Sequence, residues 1–82
     1  MRLDKYLKVS RIIKRRTVAN EACDAGRVIV NGKVARASYD VKVNDVLELQ
    51  LGVRTIKARV VSVNEYAKKE EAALMYEVLE EK

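Results

Sequence analysis

Lys8–Ala35 reads KVSRIIKRRTVANEACDAGRVIVNGKVA. Its first part, RIIKRR, crowds four cations into the six positions Arg11–Arg16 around Ile12 and Ile13. This segment takes the chain round a corner that the two isoleucines anchor to a core. Val18, Ala19, Ala22 and Cys23 then recur at helical spacing, and Gly26 supplies the left-handed backbone on which a helix commonly ends. Immediately afterwards Val28 and Val30 alternate with Arg27 and Ile29. The pair Asn31-Gly32 is the dipeptide favoured by a type I′ turn, and Lys33–Arg36 forms the return strand. A helix running into a tight hairpin, with a basic corner ahead of both, is the nucleus of the fold.

On the N-terminal side, Leu3, Tyr6, Leu7 and Ser10 share one helical face, with Arg2, Lys5 and Lys8 off it. Beyond the hairpin, Asn44 and Asp45 make a turn. Leu47, Leu49 and Leu51 then face one way and Glu48 and Gln50 the other, which predicts a half-buried strand. A turn at Gly52 leads to a second strand in which Ile56, Ala58 and Val60 alternate with Lys57 and Arg59, until Val61 breaks the pattern. Ala72, Met75, Tyr76 and Leu79 fall at i, i+3, i+4 and i+7, so a closing helix is expected to lay that stripe on the body. The expected class is α+β, with two N-terminal helices packed on a small curled antiparallel sheet and a short C-terminal helix. Eighty-two residues bury too little surface for two cores, so residues 1–82 form one domain, with a core over 2–50 and a C-terminal strand and helix over 55–82. All four aromatic residues are tyrosines, leaving Val, Leu, Ile and Ala to fill that core.

Composition narrows the chemistry. The chain has no histidine, which removes the commonest general base and the commonest metal ligand. Cys23 is the only cysteine, so neither an intrachain disulfide nor a cysteine metal cluster can form, and an inert thiol on a helix is expected. No catalytic residue, metal or cofactor is expected, and the chain reads as a binding protein rather than an enzyme. No apolar run approaches the roughly 20 residues that span a bilayer, and no signal-peptide pattern opens the chain. The expectation is a cytoplasmic protein without a membrane partner.

Charge points to the partner. The net charge is +5, but residues 1–36 carry ten Lys or Arg against Asp4, Glu21 and Asp24, whereas residues 65–82 carry six Glu against three Lys. Such asymmetry favours a polyanion bound by the N-terminal half. If the apolar stripes face the sheet, Arg2, Lys5, Arg11, Lys14, Arg15 and Arg16 gather near one another. Arginine forks and mobile lysine charges together suit a phosphate backbone held at several points. A membrane surface would demand large apolar groups that the core already uses. DNA reading by a recognition helix would expose Glu21 and Asp24 to phosphates. Structured RNA, recognised through shape and backbone, fits better.

RLDKYL, RRTVA and AGRVIVNGKVA, in that order and at these spacings, resemble the S4 RNA-binding domain family, over roughly Arg2 to Leu49. The resemblance implies an S4-type (alpha-L motif) fold that binds RNA across the helices and the neighbouring hairpin. The family's RNA-facing positions correspond to Arg2, Lys5, Arg16, Arg27, Asn31, Gly32 and Lys33. With the basic corner, the candidate RNA-binding set is therefore Arg2, Lys5, Arg11, Lys14, Arg15, Arg16, Arg27, Asn31 and Lys33. Two departures stand out. Arg15 occupies a position where many members carry a capping Ser or Thr. Asn44 stands where glycine is common, a place Asn tolerates.

Continued through KKEEAALMYEVL, the chain resembles the stand-alone S4-domain factors of bacterial ribosome-associated quality control, and also a small heat-shock protein that recycles stalled large subunits. That likeness implies a monomer associated with the large ribosomal subunit, contacting rRNA and peptidyl-tRNA. It also implies a partner factor that directs template-free addition of a C-terminal alanine tail. Two other readings stay open on the residues alone. One is a general S4 factor for ribosome assembly or recycling. The other is a protein interaction module that uses the acidic C-terminal segment.

Overall fold

The computed structural model describes all 82 residues. Helix α1 spans Leu3–Val9 and α2 spans Arg16–Asp24, and they are followed by strands β1 (Val28–Val30), β2 (Lys33–Val34), β3 (Val46–Leu51) and β4 (Arg54–Val60). A single-turn helix α3 (Lys69–Ala72) and strand β5 (Tyr76–Glu81) complete the chain. The five strands form one antiparallel sheet in the order β2-β1-β3-β4-β5.

The apolar stripe of α1 behaves as its spacing requires, with Leu3, Tyr6, Leu7 and Ser10 all fully buried. Leu3, Tyr6 and Leu7 pack with Ile13, Ala19, Cys23, Val28, Val30, Leu47, Leu49 and Val60 in one core, against which Ile12 also rests. Arg2 caps α1 without a side-chain bond. The N–H groups of Leu3 and Asp4 instead donate to the carbonyls of Tyr39 (2.8 Å) and Ala37 (3.1 Å), so the loop between β2 and β3 satisfies the open end of the helix. Arg15 likewise caps α2 without a side-chain bond, in line with the missing Ser or Thr.

The hairpin turn has both Asn31 (φ 51°) and Gly32 (φ 84°) in the left-handed region, as a type I′ turn demands. Its return strand is shorter than expected, ending at Val34 rather than Arg36. Beyond it Ala35 and Ala37 turn into the core. Val18 also departs from expectation: it lies on the outer side of α2 and is half exposed.

The C-terminal segment differs most. The helix stops after one turn, and Tyr76–Glu81 becomes strand β5 on the free edge of β4. A helix of this length with several glutamates is marginal alone. An open strand edge, by contrast, offers a row of backbone partners, and Glu77 and Glu81 find Arg59 (3.0 Å) and Arg54 (3.1 Å) on the neighbouring strand. Ala72 and Met75 are buried as the stripe predicts, but Leu79 is the extra residue of a β-bulge opposite Lys57 and Ala58 and is half exposed. The Met75 carbonyl accepts from the Tyr6 hydroxyl (2.8 Å) and from the N–H groups of Val61 (2.8 Å) and Ser62 (3.1 Å), tying the two ends of the chain together.

Candidate nucleic-acid interface

Asp4 organises the basic face, although by sequence it counts only as one negative charge. Its carboxylate is almost fully buried in the first turn of α1. Arg2 donates to it through Nε (3.2 Å to Oδ1) and Nη2 (3.4 Å to Oδ2), and Arg16 Nε lies 3.3 Å from Oδ2. Asn20 Nδ2 (3.3 Å) and the N–H of Lys5 (2.8 Å) complete the shell. Burial raises the Asp4 pKa, but the bonds from Arg2, Asn20, Arg16 and Lys5 outweigh it and hold the carboxyl below its usual range. Arg2 from the entry of α1 and Arg16 from the first position of α2 are thus clamped side by side, with each side chain still about half exposed. The self-repelling cluster carries its own internal counterion. The remaining N–H groups of the two guanidinium forks have no partner within the protein.

The other candidate residues fall into distinct neighbourhoods. Arg11, whose left-handed backbone (φ 63°) turns the corner, lines one cleft together with Lys14 and with Lys8, which the candidate set omits. Lys5 lies between the two groups, with its ammonium 3.7 Å from Glu65. A groove of about 610 Å³ between α2 and the segment after β2 is edged by Arg2, Asn20 and Arg36. Arg36 is a second cation the candidate set omits; beyond its charge, no sequence signal marks it. Asn31 and Lys33 line an adjoining depression that also contains Arg36 and Tyr39. Arg15 and Arg27 are exposed and have no side-chain partner, and they line none of these clefts.

Asn31 has its side chain occupied inside the protein. Nδ2 donates to Asp45 Oδ1 (3.0 Å), and Oδ1 accepts from the N–H of Val46 (2.9 Å). Asp45 also accepts from the Tyr39 hydroxyl (2.9 Å) and the N–H of Lys42 (3.0 Å). Burial raises its pKa, but bonds from Lys42, Asn31 and Tyr39 prevail and lower it. The hairpin is therefore welded to the β2–β3 loop, and Lys33 is the side chain its tip presents outward. Cys23 is buried, and desolvation, reinforced by Asp4 and Asp24, pushes its thiol up to about 11, so it is inert at neutral pH.

These features can be set beside known proteins. The S4 domain family model matches residues 1–47, covering α1, α2, the hairpin and the start of β3. The RQC P-site tRNA stabilizing factor of Streptococcus pneumoniae is 56% identical over 81 residues, covering 99% of this chain and 92% of that protein. The protein of the same name from Bacillus subtilis is 52% identical over 81 residues, covering 99% of this chain and 94% of the other. Among solved structures, the trimeric structure of Vibrio cholerae Heat Shock Protein 15 superposes with a TM-score of 0.88 at 26% identity, over 95% of this chain and 80% of that one. With the domain model covering more than half its length and relatives matching it nearly end to end, the chain belongs to the S4 domain family and, within it, to the RQC P-site tRNA stabilizing factors.

Proposed function

We propose that the chain is a non-catalytic RNA-binding factor of ribosome-associated quality control. It holds rRNA and tRNA on a large ribosomal subunit obstructed by peptidyl-tRNA and so assists template-free alanine tailing of the stalled chain by a partner factor. The observation that carries the reading is the Arg2–Asp4–Arg16 clamp on the basic face. Two guanidinium groups held at a fixed separation suit a folded phosphate backbone better than a diffuse positive field does. The name shared by the relatives, RQC P-site tRNA stabilizing factor, supports tRNA as one of the ligands. Arg11, Lys14 and Arg15 extend the grip along the corner, and Arg27 and Lys33 extend it along the hairpin. The factor acts in the cytoplasm, bound to the ribosome as a single copy. The trimer described for the Vibrio neighbour is the rival state, and light scattering on the purified protein separates the two.

Gradient fractionation followed by crosslinking to RNA tests the function. A large-subunit peak enriched in peptidyl-tRNA is the expected result. Co-migration with small subunits, or RNA binding no tighter than that of an unrelated basic protein of equal charge, overturns it.

A further inference from the structure

Tyr66 is the one tyrosine the fold leaves available. Tyr6 is fully buried, Tyr39 donates its hydroxyl to Asp45, and Tyr76 sits half-buried in β5. Tyr66 is 85% exposed. It lies at the tip of the segment joining β4 to α3, well outside the stretch that matches the S4 model. The segment is pinned on both sides, because Val63 and Ala67 rest against the core. Asn64 Oδ1 accepts from the Tyr66 N–H (3.0 Å), which sets the backbone of the tip.

The surroundings of the ring are cationic. Lys5 Nζ stands 6.0 Å from the ring centroid and is also held by Glu65 at 3.7 Å. Beside this tip opens a cleft of about 540 Å³, lined by Lys8, Val9, Arg11, Lys14, Glu65 and Ala67. Three cations thus converge on the cleft against one carboxylate. Inside the fold the ring has only the Lys5 ammonium beside it, and the rest of its surface is left in water. On its cleft side the ring is flanked by charged groups, Lys5 and Glu65, and not by other large apolar side chains. A ring face beside a basic cleft is the pairing that suits single-stranded nucleic acid, because the base stacks while its phosphates reach the cations.

We propose that Tyr66 is a stacking platform for an unpaired RNA base, and that the cleft formed by Lys8, Arg11 and Lys14 takes the adjoining phosphates. The inference rests on the RNA-binding reading above and adds a second, base-contacting patch to its backbone grip. Within it, Lys5 orients the ring and Glu65 keeps the tip against α1.

The test compares an RNA hairpin with an open loop and a blunt-ended RNA duplex carrying the same number of phosphates. Wild type, Tyr66→Ala, Tyr66→Phe and the double variant Lys8→Ala/Lys14→Ala are measured as full-length proteins over a range of salt. Tyr66→Ala is expected to lose roughly five- to a hundredfold in affinity for the open-loop hairpin, to bind the duplex like wild type, and to keep the same salt slope, since no charge is removed. Tyr66→Phe restores binding, because the stack needs the ring and not the hydroxyl. The double lysine variant flattens the salt slope. Equal affinity of wild type and Tyr66→Ala for the hairpin, or an equal loss on both RNAs, overturns the proposal while leaving the RNA-binding reading in place. Failure of the wild type to bind either RNA overturns that reading itself.

Discussion

Two buried carboxylates, Asp4 and Asp45, do different work. Asp4 gathers charged donors, Arg2 and Arg16, whose outer N–H groups remain in solvent. Asp45 gathers neutral donors, Asn31, Tyr39 and the N–H of Lys42, none with donor capacity aimed outward as a charge. Both carboxylates are desolvated and both are held ionised by their partners. The donor's identity, not the carboxylate's burial, separates a region that can grip an external anion from one that only joins a hairpin to a loop. The comparison predicts that damage at Asp45 appears in stability and damage around Asp4 appears in RNA affinity.

The largest effect is expected for Asp45→Ala. It strands the Asn31 amide, the Tyr39 hydroxyl and the Lys42 N–H at a poorly hydrated site, and each such loss costs about 1–3 kcal/mol. Water reaching part of the site keeps the total to roughly 2–4 kcal/mol, which for a domain this small lowers the melting temperature by on the order of 10 °C or more. RNA affinity measured below the transition should stay within about twofold of wild type. A tenfold loss of affinity with normal melting would place Asp45 in the RNA site and erase the contrast.

Arg16 comes next. If the basic face acted through net charge alone, Arg16→Ala and Lys42→Ala would cost the same small amount. A clamped fork predicts a loss of about 1.5–3 kcal/mol for Arg16→Ala, at least tenfold in affinity, with little change for Lys42→Ala. Arg16→Lys recovers only part, because an ammonium cannot reproduce the fork. Ribosome association and melting measured together decide the matter: full rescue by lysine, or equal losses at both positions, removes Arg16 from the site. Melting should fall slightly for Arg16→Ala, since Asp4 loses one of its donors.

Asp4→Asn sharpens the comparison further, because the two accounts differ in sign. The change raises the net charge by one, so a field-only account expects tighter RNA binding. The clamp account expects at least about fivefold weaker binding, since Arg2 and Arg16 lose the group that fixes their separation and must be ordered at the moment of contact, at a cost of about 0.5–1.5 kcal/mol per side chain. Affinity at one fixed salt concentration reads the sign directly. Tighter binding by Asp4→Asn would mean that Asp4 competes with RNA rather than preparing the site.

Much of this contrast is legible in the sequence, and the omissions have physical causes. The stripe of α1, the left-handed turn at Asn31 and Gly32, and the alternation in β3 are local patterns, and the fold keeps them. The cations are visible by composition, so Arg2 and Arg16 can be named. Asp4 cannot, because its meaning depends on Arg16 and Asn20 from another helix reaching it. Asn31 admits two readings because turn chemistry is local, whereas the bond to Asp45 spans fourteen residues. The C-terminal stripe misleads for a related reason. Ala72 and Met75 obey helical spacing, but the free edge of β4 recruits Tyr76–Glu81 into the sheet, and an open edge is not written in the segment that fills it. Tyr66 carries no pattern at all, and only its exposure beside Lys5 marks it.

The smallest effect expected is also the most selective. Asp4 and Asp45 both have native pKa values below the ordinary 3.8. Each therefore contributes stability that is present above that unfolded value and is lost as pH falls through the lower native one. In the free protein both should titrate below the ordinary value, and replacing either by Asn should remove its share of the acid-induced loss. Bound RNA should act on the two differently. Phosphates drawn to Arg2 and Arg16 place negative charge near Asp4 and share its donors, and both changes disfavour the carboxylate, so the Asp4 pKa rises. Asp45 keeps its neutral hydrogen-bond donors, which phosphate does not take, so its pKa should move far less. Carbon-detected NMR titration of the two side-chain carboxyls, with and without a structured RNA, reads both values in one sample. A rise at Asp4 well beyond any at Asp45 is the expected outcome. Equal movement at both sites would show that the RNA acts as a distant field on the whole face, and no movement at Asp4 would place the phosphates away from the clamp.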